Sequence, residues 1–146
     1  HYQHSHIGYN YRMSNVLAGI GRGQLEVLKN RVLARRKIFE TYKEALKNTS
    51  LKFLEEPAGF YSNRWLTTVV TASYAEREKI RLYLQKENIE SRPLWKPMHL
   101  QPVFKNCVGY ENGTSAGLFE KGLCLPSGSN STENELSRVI EVLNNF

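Results

Sequence analysis

The stretch Arg-Pro-Leu-Trp-Lys-Pro-Met-His-Leu-Gln-Pro from Arg92 to Pro102 gathers side chains that could do chemistry. Its prolines fix an extended path, and Arg92, Trp95, Lys96 and His99 project donors and an aromatic face from it. Such a loop can hold a phosphate through Arg92, Lys96 or His99 while Trp95 covers a ring or sugar face. The same residues equally describe a proline-stiffened connection whose tryptophan plugs the core. Taken alone, the stretch leaves both readings open.

A second dense stretch lies near the beginning. From His6 to Asn15 the chain reads His-Ile-Gly-Tyr-Asn-Tyr-Arg-Met-Ser-Asn, and a helical pattern follows at once. His1, His4 and His6 have the spacing HxxHxH, but no carboxylate or thiol lies nearby in sequence to complete a metal shell, so no metal site is assigned. Gly19, Gly21 and Gly23 run as GxGxG with no strand before them, unlike a phosphate-binding turn. Each glycine costs a helix about 1 kcal/mol relative to alanine. Close approach of another helix or subunit is the reason their presence suggests.

These stretches need elements to position them. Ser14 is a candidate N-cap, and Leu17, Ile20, Leu25, Leu28 and Val32 fall broadly on one side, continued by Ile38, Tyr42 and Leu46. The spacing predicts one long helix, or two in succession, over residues 14–47. Arg64–Ala72 is β-branched and aromatic and predicts a buried strand. Residues 74–88 predict an amphipathic helix capped by Ser73, with Ile80 and Leu84 inward. "IESRPL" predicts a short strand, the region around "GTSAGLFEKG" a short helix, and "LCLP" another strand. A terminal helix over residues 131–146 is marked by a capping serine or threonine, by Glu133 and Glu135, and by Leu136, Val139, Ile140 and Leu143 on one face. Helices packed on a small sheet give an α+β class, a small α/β sandwich.

The totals are those of one ordinary globular domain: 146 residues, 40% apolar, 23% charged and 11% aromatic. The longest uncharged apolar run is too short to cross a bilayer as a helix and nothing at the start resembles a signal peptide, so a cytoplasmic protein with no membrane partner is expected. Cys107 and Cys124 match no zinc or CxxC spacing and read as reduced, semi-buried thiols. A net charge of +6 favours polyanions. The densest basic cluster, Lys29–Lys37, is followed by Glu40 and Glu44 and reads as a mixed solvated face. No recognised nucleic-acid-binding module accompanies the charge, and no nucleic-acid partner is expected.

Taken in order, "GYNYRMSN", "AGIGRGQL", "SRPLWKPMHLQP" and "GLCLPSG" resemble the C-terminal part of the DegT/DnrJ/EryC1/StrS family of pyridoxal phosphate-dependent sugar aminotransferases, over essentially the whole chain. The resemblance implies the small C-terminal domain of a fold type I transferase, with the large catalytic domain absent. Residues 1–13 would be the loop leaving that domain, and residues 14–146 the small domain. It implies a homodimer in which Asn10 reaches the cofactor phosphate of the other subunit, Gly8 lets the backbone turn closely, and Arg12 supports the loop or the phosphate. A neutral amide and a guanidinium suit a dianionic phosphate. Arg92, Trp95, Lys96 and His99 would lie near the nucleotide-linked keto sugar, with glutamate as the amino donor.

No lysine here stands in a motif matching the family's Schiff-base lysine, and no partner aspartate is in context, so the chain alone is expected to be inactive. Gly19 stands where the family usually has alanine. A free-standing, non-catalytic binding or regulatory module with the same small-domain fold is the alternative reading, and a basic nucleic-acid-binding protein is a further rival.

Overall fold

A computed structural model describes residues 3–146; His1 and Tyr2 lie outside the described residues. Ser14 accepts a hydrogen bond from the Leu17 amide at 3.3 Å and starts helix α1, Asn15–Ala45. The other helices are α2 (Tyr74–Lys86), α3 (Thr114–Lys121) and α4 (Glu133–Asn144). Ser73 caps α2 as predicted. Thr132 closes a capping box on α4, accepting from the Glu135 amide at 3.2 Å while its own N–H donates to Glu135 Oε2 at 2.8 Å.

Four short strands, β1 (Lys52–Phe53), β2 (Thr67–Val70), β3 (Arg92–Pro93) and β4 (Gly122–Leu125), form one antiparallel sheet in the order β1-β2-β4-β3. Thr67 faces Leu125 and Val69 faces Leu123 across the central pair. Side chains alternate along a strand, so these residues share one face. On that face Val69, Leu123 and Leu125 join Ile38 and Tyr42 from α1 and Leu46 at its C-cap, Ile80 and Leu84 from α2, and Val139 and Leu143 from α4. Thr68, Cys124 and Arg92 are in register on the opposite face. This is the expected α+β domain.

Several expectations change in detail. The strand expected over 64–72 spans only Thr67–Val70. Arg64 adopts the left-handed region with φ 48°, which ends extended pairing on that side. Its guanidinium is buried, 3.7 Å over the Phe39 ring and 2.8 Å from the Leu54 carbonyl. Strand β1 was not anticipated, because two residues carry no alternation to read. Both cysteines are free, but Cys124 is buried in β4 while Cys107 is exposed rather than semi-buried. The basic cluster is only partly a solvated face. Arg36 binds Glu56 at 2.8 Å and the Ser62 carbonyl at 2.6 Å, and Arg35 donates to the Trp65 carbonyl. No helix among the described residues is long and apolar enough to cross a membrane.

Candidate functional site

The 92–104 segment is seated by a glycine. A Cβ on Gly122 would lie 2.1 Å from Leu94 Cδ1 and 2.5 Å from the Leu118 carbonyl, closer than any real contact. Its absence lets Leu94 rest on β4, where the Leu94 amide donates to the Gly122 carbonyl at 3.2 Å. Beyond β3 the chain makes two 3-10 turns, Met98–Leu100 and Pro102–Phe104. Prolines at 97 and 102 stand at or next to their starts.

Trp95 does not plug the core. It is 49% exposed and stacks on Trp65, itself 59% exposed, with ring centroids 5.6 Å apart. Both rings line a hollow of about 280 Å³ whose walls also include Ser91, Arg92 and Cys124. Burial pushes the Cys124 thiol up, and the nearby Arg92 charge opposes that shift. Arg92 is gripped by Glu90 Oε1 at 2.6 and 2.8 Å. Glu111 Oε2 lies 2.7 Å from His99 Nε2, in ion-pair range but out of line for a hydrogen bond. The Lys96 carbonyl accepts from Gln101 Nε2 at 3.2 Å, while its half-buried side chain takes part in no ion pair among the described residues.

The N-terminal segment meets this loop through His4. The His4 amide donates to Gln101 Oε1 at 2.9 Å, and the His4 carbonyl accepts from the Val103 amide at 3.3 Å. Gly8, Asn10 and Arg12 are then exposed, with no regular secondary structure before α1. Among the described residues nothing lies within 4 Å of a Cβ placed on Gly8, and neither Asn10 nor Arg12 has a polar side-chain partner. The two expected groups of site residues are therefore joined by backbone and by Gln101, not by direct contact of Asn10 or Arg12 with the loop. His1 lies outside the described residues. Among those described, no group of three histidine, cysteine or acidic side chains is close enough to hold a metal ion.

Sequence reasoning missed Trp65, Gln101 and Glu111. Trp65 was visible only as the front of a strand, and its pairing with Trp95 spans a separation that no local pattern encodes. Gln101 stood inside the singled-out stretch without being singled out.

A groove of about 910 Å³ lies along α2 and β3 and includes Arg77, Arg81 and Arg92. Its cations are already committed. Arg77 and Arg81 contact Glu78 at 2.6 and 2.9 Å, and Arg92 contacts Glu90. The hydrogen bond from Arg81 holds the Glu78 carboxyl below the usual carboxylate range. A second opening of about 520 Å³ beside Trp65 includes Arg31, Arg35 and Asn63 in its walls.

The sequence model of the DegT/DnrJ/EryC1/StrS aminotransferase family matches residues 1–144. EpsN of Bacillus subtilis (strain 168), assigned by name to the pyridoxal phosphate-dependent aminotransferases, is 52% identical over 98% of this chain and 38% of its own length. A GDP-perosamine synthase of Escherichia coli O157:H7 is 30% identical over 99% of this chain and 39% of its own length. The crystal structure of a DegT/DnrJ/EryC1/StrS aminotransferase from Brucella abortus superposes with a TM-score of 0.80 at 29% identity, covering 100% of this chain and 39% of that one. The chain thus spans about two fifths of the length of these relatives.

Proposed function

The chain belongs to the DegT/DnrJ/EryC1/StrS aminotransferase family, and from that membership we propose that it is the small C-terminal domain of a sugar-nucleotide aminotransferase. Residues 1–13 connect a preceding large domain to the small domain of residues 14–146. The large domain carries the Schiff-base lysine, so this chain is inactive alone. The active protein is a homodimer that moves an amino group from glutamate to a keto sugar linked to a nucleoside diphosphate.

The residues present fit pyridoxal phosphate at its phosphate end. Asn10 and Arg12 offer an amide and a guanidinium that no described residue engages, and Gly8 leaves open backbone beside them. Bound in the parent, pyridoxal phosphate supplies the electron sink that amino transfer requires. This chain's part is binding and orientation. Asn10 donates to a phosphate oxygen across the dimer interface while Arg12 adds charge. Trp95 offers an aromatic face to the sugar nucleotide, Lys96 a cation to its phosphates, and His99 and Arg92, restrained by Glu111 and Glu90, line the approach.

One observation carries the reading. The exposed, unengaged donors of the first segment and the aromatic, cationic 92–104 segment are tied together at His4. The apolar side of α1 supports it too. Leu17, Ile20 and Leu25 are exposed, as expected of a surface on which the large domain docks. Among the described residues nothing lies within 4 Å of a Cβ placed on Gly19, Gly21 or Gly23, so the close neighbour expected for them is the docking partner. Asn10→Ala in the full-length protein is expected to speed loss of pyridoxal phosphate on dilution, followed by absorbance; an unchanged rate removes Asn10 from the site.

A further inference from the structure

We propose that Gln101 is a positioning residue whose buried carboxamide clamps the start of the chain to the 92–104 segment, fixing the phosphate motif and the substrate loop relative to each other. The inference rests on the functional reading above and adds a residue to it.

Gln101 is 2% exposed, between the two 3-10 turns. Away from water a carboxamide must satisfy both of its ends within the protein. Here the ends point to different segments. Oε1 accepts the His4 amide at 2.9 Å, and Nε2 donates to the Lys96 carbonyl at 3.2 Å. The Val103 amide donates to the His4 carbonyl at 3.3 Å, so both backbone groups of His4 are held by residues 101 and 103. The backbone amide of Gln101 donates to the Met98 carbonyl at 3.0 Å and completes the turn that carries His99.

Asn10 is only six residues beyond His4, and six residues reach at most about 20 Å when fully extended. A pin at His4 therefore limits where the phosphate donors can stand relative to Lys96 and His99. The side chain is also matched to the task in sign. An amide both accepts and donates, whereas a carboxylate would meet the Lys96 carbonyl with no proton to give, and methionine would satisfy neither end.

The test uses the full-length protein loaded with pyridoxal phosphate, in four forms: wild type, Asn10→Ala, Gln101→Met, and both changes together. Cofactor loss on dilution is followed by absorbance, and amide hydrogen exchange is measured in parallel. Gln101→Met is expected to speed cofactor loss about tenfold, the scale of one lost buried hydrogen bond. In the double variant the two effects should combine to clearly less than their product, because the clamp acts through the motif that carries Asn10 and Arg12. Faster exchange should appear at His4 and Val103 but not at Val69 or Leu123 in the sheet. A general loss of stability would raise exchange in the sheet as well and would overturn the proposal. Additive effects in the double variant, or wild-type cofactor retention by Gln101→Met, would also overturn it while leaving the role of Asn10 intact. If Asn10→Ala itself retains cofactor, the functional reading fails first and the functional role of the clamp fails with it. Should Gln101→Met not fold, Gln101→Glu keeps the acceptor for His4, removes the donor to Lys96, and carries the same comparison.

Discussion

The two ends of α1 obey one periodicity and have opposite fates. Leu17, Ile20 and Leu25 are 56, 56 and 67% exposed, whereas Phe39, Tyr42 and Leu46 are 2, 0 and 0% exposed. A shared helix and a shared apolar stripe thus produce core at one end and open surface at the other. Spacing shows which side of a helix is meant to be covered; it does not show by what. The covered end meets β2, β4, α2 and α4 of this chain. The open end, together with exposed Ile7, Tyr9, Tyr11 and Met13, is the side we assign to docking and to the cofactor phosphate.

Substitutions sharpen that contrast most at its extremes. Leu84→Ala, in the core that receives the end of α1, is expected to cost about 2–5 kcal/mol in denaturant unfolding of this chain, because a fully buried side chain leaves a cavity. Leu25→Ala on the open end should stay within about 0.5 kcal/mol. Comparable costs at the two sites would break the comparison. Gly122→Ala should cost about 1–3 kcal/mol, since Leu94 and the Leu118 carbonyl occupy the space a methyl needs. Smaller and opposite in sign is Gly21→Ala. It should stabilise this chain by about 0.4–1 kcal/mol, because nothing crowds the position here and the helix gains propensity. The same change should weaken association of the parent if a partner packs there.

A pH series separates the buried end further. Tyr42 donates from its hydroxyl to the Pro126 carbonyl at 3.0 Å, and burial raises its pKa well above the ordinary phenol range. A folded-state pKa raised above the unfolded one makes the contribution complete below about pH 10, and it is lost as pH climbs towards the folded value. Wild-type Tm should therefore fall above about pH 10 more steeply than that of Tyr42→Phe.

Local signals carried much of the fold. Ser14, Ser73 and the Ser131–Thr132 pair marked helix starts because a capping hydroxyl acts within three residues, and of that pair Thr132 is the cap. Ile80, Leu84, Val139 and Leu143 marked inward faces through spacing alone. The site was less legible because its joints are long-range. Trp65 with Trp95 and His4 with Gln101 are contacts between distant positions, and neither leaves a periodic trace. Arg64 illustrates the remainder. A strand-like sequence was cut short by one residue whose buried guanidinium and left-handed backbone are fixed by tertiary contacts.

The most direct measurement compares this chain with the full-length protein that contains it, each mixed with pyridoxal phosphate, desalted and scanned in the visible range. The account predicts that cofactor absorbance stays with the longer protein and is lost from this chain. Stoichiometric retention by the 146-residue chain alone, or none by the longer protein, would contradict the assignment of this chain as one half of a shared aminotransferase site.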